Sequence, residues 1–370
     1  MTPPVRLPET GAVLAVRRAV RDWVDAHGGP MPVVVGLSGG ADSLALVAAA
    51  VVEVGEVWVV VVDHQLQDGS AEVAERAAAQ ARALGCASAL VMSVEVGREG
   101  GPEAAARAAR YAALESVRGD RPVLLGHTLD DQAETVLLGL ARGSGGRSIQ
   151  GMAAWNAPWG RPLLGVRRAE TRQMCADLGI EPWDDPHNVD PAYTRVRLRT
   201  EVLPLLEDVL GGGVAKALAR TAEQLRDDGA VLDRLTADLL RAATLPQSDA
   251  GPAPEPGRAT GDAELPVGPR AGQPTEGDGG RHNSDRPALS IEILATADPA
   301  LRRRAIRAWL TAQGVGRLLN AHLQAIDELV SEWRGRGGVA VAGGSRDHRL
   351  VVAREHGTLT VRAQPRNDAT

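Results

Sequence analysis

An alternation along the chain constrains its fold most. Short apolar runs at Val33–Leu37, Val57–Val62, Ala89–Val94 and Val123–Gly126 are each followed by a stretch of helical periodicity. Those stretches lie near Asp42–Val52, Ala71–Leu84, Glu103–Val117 and Asp130–Ala141. A strand that is apolar on both faces must be covered on both faces, and strands that alternate with helices pair in parallel. The expected fold is therefore α/β, a parallel twisted sheet with helices on both faces. Ligands of such sheets sit beyond the carboxyl ends of the strands. The loops after Leu37, Val62, Val94 and Gly126 are thus where a site belongs. Ahead of the first strand, Val13, Val16, Val20, Trp23 and Val24 recur at helical spacing and predict an amphipathic helix.

Four segments are expected: a nucleotide-binding catalytic domain over 1–210, a helical extension over 211–243, a linker or insertion over 244–287, and a small α+β domain over 288–370. Gly and Pro make up 16 of the 44 residues in 244–287, above the roughly 25–30% that marks low-complexity segments. That stretch is expected to be disordered. Beyond it, helices are expected at Pro299–Gln313 and Asn320–Trp333, and strands near Val339–Val341, Leu350–Ala353 and Thr358–Val361. The chain has no Phe and two Tyr, so Val, Leu and Ala must fill its cores.

The first strand runs into the turn Ser38-Gly39-Gly40-Ala41-Asp42-Ser43, and a helix follows. Strand, glycine turn and helix together make a phosphate cradle. Glycines let the backbone approach oxygens, and the amides and dipole of the helix start attract the anion. A Walker loop is excluded because the turn has no lysine, and a dinucleotide fingerprint because G-x-G-x-x-G is missing. Asp42 beside phosphates is repulsive unless a cation intervenes, which points to Mg²⁺.

A second constellation, LGHTLDDQAET over 125–135, puts His127 at the end of the fourth strand and Asp131 and Glu134 three apart on the next helix. Carboxylates facing the crevice suit an ammonium group or Mg²⁺, or a base for an attacking amine. Acids that merely complement a helix dipole are the alternative, and zinc on His127, Asp130 and Glu134 is a third.

The S-G-G-x-D-S turn resembles the PP-loop of N-type ATP pyrophosphatases, which cleave ATP between the α and β phosphates. Further segments resemble the tRNA(Ile)-lysidine synthetase family: H-x-x-D-D-x-x-E-T at 127–135, Asp63–His64, EAAARAARY at 103–111, RPLL at 161–164 and DPHNVDPAYTRVRLRTEVLP at 185–204. One departure is Val196, which stands where the family usually has Asn. The resemblance covers about residues 30–210 and implies a Rossmann-like PP-loop ATPase. The region after 290 resembles that family's first C-terminal domain.

Such enzymes use ATP, Mg²⁺, L-lysine and an isoleucine tRNA with a CAU anticodon. The wobble cytidine is adenylated, and lysine then displaces AMP from carbon 2. By this resemblance Ser38, Gly39, Gly40, Ala41, Asp42 and Ser43 bind the triphosphate, Asp42 through Mg²⁺, and His64 and His127 contact adenosine or the base. Asp131 and Glu134 hold the lysine amines, and Arg110 positions a phosphate or the lysine carboxylate. Arg142, Arg147, Arg195, Arg197 and Arg199 are candidate tRNA contacts, the last three on one side of the chain if it is extended. Arg302–Arg304 is either a solvated helix face or a further contact.

Two cysteines, Cys86 and Cys175, cannot build a disulfide framework or a four-cysteine cluster. That argues against a cluster-dependent tRNA thiolase, one rival reading. A non-catalytic nucleotide sensor would not need Asp42 or the Asp131/Glu134 pair. The N-terminus lacks a basic stretch followed by an apolar run, and no apolar run is long enough to span a bilayer. A cytoplasmic protein without a membrane partner is expected, and a homodimer stays open. The net charge of -6 weighs weakly against nucleic acid, since local patches decide such binding.

Overall fold

A computed structural model of the chain describes residues 7–97, 101–143, 145–186, 189–245, 286–333, 335 and 337–366. The expected linker over 244–287 therefore lies outside the described residues except at its ends. The chain divides into two compact units, one through Asp228 and one from Gly229.

Among its described residues the first unit is built on six strands: β1 (Val33–Leu37), β2 (Val57–Asp63), β3 (Ser88–Ser93), β4 (Val123–Leu125), β5 (Trp155–Asn156) and β6 (Trp159–Gly160). Their order is β3-β2-β1-β4-β6-β5. β1 is parallel to β2 and β4, β2 to β3, and β4 to β6, whereas β5 runs antiparallel to β6. The helices are α1 (Gly11–Ala26), α2 (Ala41–Glu53), α3 (Ser70–Ala83), α4 (Pro102–Arg118), α5 (Leu129–Ala141), α6 (Arg168–Asp177), α7 (Thr194–Arg197), α8 (Leu203–Val209) and α9 (Val214–Ala243). A π-helical turn over Leu198–Val202 joins α7 to α8.

The two-residue period of the strands sorts their valines onto two faces. Val33, Val35, Val59 and Val61 pack with α1, α2, α3 and α6, where Val16, Val20, Leu44 and Met174 are buried. Val34, Val60, Val123 and Leu125 face the other way, onto Leu114 of α4. Helices thus cover both faces, as the doubly apolar strands require. Each fully buried Val or Leu contributes about 1.5–3 kcal/mol. Ala45, Ala48, Ala49 and Ala50 of α2 are buried as well, and their small side chains fill a core that lacks Phe.

This strand order locates the site. From β1 the chain steps outward to β2 and β3, then returns to β4 on the other side of β1. The carboxyl ends of β1 and β4 therefore flank the point where the order reverses, the place where open α/β sheets leave a ligand crevice.

The second unit begins within α9 and contains β7 (Leu289–Ser290), α10 (Ile291–Thr296), α11 (Pro299–Ala312), α12 (Asn320–Ser331), β8 (Val339–Gly344), β9 (His348–Glu355) and β10 (Thr358–Pro365). Its antiparallel sheet has the order β7-β10-β9-β8, over a core that includes Leu294, Ile306, Trp309, Ile326 and Leu359. The linker's two ends belong to this fold. Thr244 bridges Leu289, the Leu245 amide donates to the Ala288 carbonyl, and Trp309 Nε1 donates to the Pro287 carbonyl at 2.8 Å. The basic run Arg302–Arg304 is tied to acids of its own unit. Arg302 is buried and pairs with Asp327 at 2.5 Å, Arg303 pairs with Asp327 at 3.1 Å, and Arg304 pairs with Asp233 at 2.9 Å.

Candidate active site

The turn after β1 is braced from within. Gly39 has φ +81, and a Cβ there would lie 3.3 Å from that of Ala77, so a side chain would be strained. Gly40 has φ −76, and a Cβ there would meet protein atoms only at ordinary contact distances, so its lack of a side chain matters only for how closely an oxygen can approach the backbone. Ser43 Oγ accepts from the Ser38 amide at 3.2 Å, lies 3.0 Å from Ser38 Oγ and donates to the Gly40 carbonyl at 3.0 Å. The Trp183 amide donates to the Gly39 carbonyl at 2.9 Å. Helix α2 starts without a side-chain cap, so the amides of its first turn and its dipole are directed at whatever anion enters.

Gly126 brings the second constellation to this turn. A Cβ on it would sit 3.0 Å from the Asp42 carbonyl and the Ser43 amide nitrogen, a distance at which the backbones would have to part. His127 and Thr128 follow directly. Thr128 and Asp131 form a capping box at the start of α5, with the Thr128 amide donating to Asp131 Oδ2 at 2.8 Å. Asp131 therefore also fills the helix-start role that its sequence position allowed.

The expected acids come together around an arginine that the sequence reading did not single out. Arg168 reaches Asp131 Oδ1 with Nη2 at 2.5 Å, Asp42 Oδ2 with Nε at 3.3 Å and Glu134 Oε1 with Nη1 at 3.4 Å. The Thr171 hydroxyl donates to the other oxygen of Asp42. Arg199 holds both oxygens of Glu134, at 2.8 and 3.2 Å. The picture of two carboxylates open to the crevice needs correction. Glu134 has no exposed side-chain surface, so it can touch a ligand only if an arginine moves aside.

Arg168 is missed by reasoning from acids and glycines, yet it leaves a signal. Arg167 and Arg168 open a helix, where the dipole disfavours cations. Arg167 is offset by Asp130, which it meets at 3.0 and 3.2 Å, and Arg168 by the site acids.

The charges respond to this packing. Burial pushes the Asp42 carboxyl above its usual range, opposed by Thr171 and Arg168. Burial also acts to raise Asp131, but Arg168 and the Thr128 amide outweigh it and hold Asp131 below the usual range. Burial pushes His127 down to about 4, against the attraction of Asp131. His64 is lowered by burial and then by the charge of Arg110. Both imidazoles are thus neutral near pH 7. The buried His127 Nδ1 and both ring nitrogens of His64 have no hydrogen-bond partner. Such orphaned groups mark a place where a polar ligand fits. Arg110, exposed on α4, acts electrostatically on both.

The candidate RNA contacts divide. Residues 195–199 are helical, not extended, so Arg195, Arg197 and Arg199 do not form one row. Arg197 pairs with Glu201 on the exposed side, Arg199 turns inward to Glu134, and Val196 is buried. Arg142 caps α5 at its exposed end. Arg195 and Arg147 each have further interactions. Among the described residues no group of three or more His, Cys, Asp or Glu side chains is placed to hold a metal, which removes the support for zinc on His127, Asp130 and Glu134. Likewise no described helix is long and apolar enough to cross a membrane.

Comparison with known proteins agrees with this architecture. The PP-loop domain family matches residues 16–206, and the TilS substrate binding domain family matches 289–360. The tRNA(Ile)-lysidine synthase of Nocardia farcinica is 60% identical over 96% of this chain and 99% of its own length. That of Rhodococcus jostii is 56% identical over 96% and 97%. That of Mycobacterium tuberculosis is 51% identical over 90% and 91%. Identity at this level over both units, with the phosphate turn and acid cluster in place, means that the chain belongs to the tRNA(Ile)-lysidine synthase family.

Proposed function

We propose that the protein ligates L-lysine to carbon 2 of the wobble cytidine in the CAU anticodon of tRNA(Ile), consuming ATP through an adenylated cytidine. The observation that carries this reading is the uncapped start of α2, beside Asp42 and at the sheet's switch point, in a chain 60% identical to a lysidine synthase. The reaction takes place in the cytoplasm.

The turn Ser38–Ser43 receives the β and γ phosphates on main-chain amides, so negative charge on the departing diphosphate is met by dipoles already in place. Cytidine O2 attacks the α-phosphorus and diphosphate leaves. The lysine amine then adds to carbon 2 and AMP departs. Mg²⁺ takes one or two carboxylates together with phosphate oxygens and water. Asp42 and Asp131, which share one guanidinium, fit that donor set. When bound, the ion would offset phosphate charge.

Lysine enters on the α5 side, its ammonium drawn to Asp131 and to the field of Glu134, and its carboxylate to Arg110. The uncharged nitrogens of His64 and His127 are suited to hydrogen bonds with the nucleoside. An anticodon loop offers its base unpaired, and Arg142, Arg195 and Arg197 approach its phosphates.

Incubation with ATP, labelled lysine and CAU-anticodon tRNA tests the reading. Label should move to the RNA with stoichiometric AMP. No transfer, or transfer without ATP, would overturn it.

A further inference from the structure

The three carboxylates that meet cations all contact the same side chain, Arg168, which comes from the first turn of α6. We propose that Arg168 is a positioning residue that acts as the site's resident counter-cation, holding Asp42, Asp131 and Glu134 together and setting how strongly the crevice attracts its two oppositely charged substrates. This inference rests on the functional reading above.

The charge balance gives the reason. Asp42, Asp131 and Glu134 carry three negative charges if all are ionised, and Arg168 and Arg199 return two. The triphosphate must lie beside Asp42, and lysine must bring an ammonium toward Asp131. Without Arg168 the acids would repel the one more and attract the other more. They would also repel each other, since Asp42 and Asp131 interact unfavourably and Glu134 lies within 3.4 Å of the same guanidinium. The anchoring is firm. The Arg168 amide donates to Asp130 Oδ2 at 2.8 Å, and Thr171, one turn along, donates to Asp42. The start of α6 thus binds residues of both α2 and α5, and the guanidinium is fixed between the phosphate turn and the acid pair. An arginine fork can serve three carboxylates at once, whereas a lysine supplies the charge without that geometry.

A structural arginine and a charge-setting one predict different outcomes for substitution. Losing a merely structural residue weakens all ligands together. Losing the counter-cation separates them. For Arg168→Gln, calorimetry should show Mg-ATP binding about tenfold weaker and lysine, titrated in the presence of a non-hydrolysable ATP analogue, about threefold tighter. Turnover should fall at saturating substrates because the acids are no longer held in register. Arg168→Lys keeps the charge, so both dissociation constants should stay within about twofold of the parent while kcat still falls. Parallel weakening of both ligands in Arg168→Gln, or no change in either, would overturn the proposal. If Arg168→Gln is recovered only as aggregate, Arg168→Lys decides. Retained affinities with reduced kcat support the inference, and weakened binding of both ligands contradicts it. A parent protein that binds neither ligand removes the functional reading and this inference with it. A parent that binds both, with a variant that shifts them in parallel, removes the inference alone.

Discussion

At the scale of the residue, the site depends on groups held in particular charge states by their surroundings. Asp42 sits at the start of α2 and receives hydrogen bonds from Thr171 and Arg168. Asp42→Asn keeps the shape but removes the charge. Turnover should drop at least a hundredfold while the circular dichroism spectrum and melting temperature stay near those of the parent, and near-normal turnover would exclude the metal-binding role. His127 gives a pH signature. Its folded pKa is about 4 against an ordinary 6.5. As pH falls from 6.5 toward 4 the unfolded chain takes up a proton that the folded site refuses, so stability falls across that window. His127→Gln should flatten this part of the melting-temperature profile, and an unchanged profile would show that His127 is not the cause. The phosphate turn could be read in the sequence because glycines, serines and an acid stand together there. The partners of the acids could not, since Arg168 and Thr171 are more than 120 residues from Asp42 along the chain and only the fold brings them near.

At the scale of the element, close approach does the work. β4 lies against the beginning of α2 because Gly126 has no side chain. Gly126→Ala should cost about 1–3 kcal/mol of stability by overpacking and should reduce ATP affinity more than lysine affinity, because the phosphate turn is what shifts. Equal effects on both, measured by titration, would argue that the contact is only structural. The sheet itself was legible because strands buried on both faces leave unbroken apolar runs. The 194–202 segment was not. Alternating arginines share one side only of an extended chain, but Val196 and Leu203 are buried in a helical segment, and the same residues at helical spacing turn Arg199 toward Glu134 and leave Arg197 outside. The short β7 and α10, ahead of the helix expected at Pro299, gave too few residues for periodicity to register.

At the scale of the whole molecule, the two units and the segment between them carry separate predictions. Residues 244–287 read as low-complexity, yet Thr244, Leu245 and Pro287 make specific contacts in the second unit. Those few residues look like linker by composition and join the fold through backbone pairing, which composition does not reveal. Removing 248–283 and joining the ends with a short Gly-Ser turn should leave lysine transfer within about twofold and the melting temperature nearly unchanged. A large loss of either would give the segment a role. All else rests on where the nucleotide's phosphates bind, and a crystal structure with Mg-ATP measures that directly. The β and γ phosphates should lie on the amides of Ser38–Ser43, with Asp42 beside the metal and the α-phosphorus open toward the α5 side. An empty turn, with the nucleotide bound elsewhere, would overturn the assignment of the site.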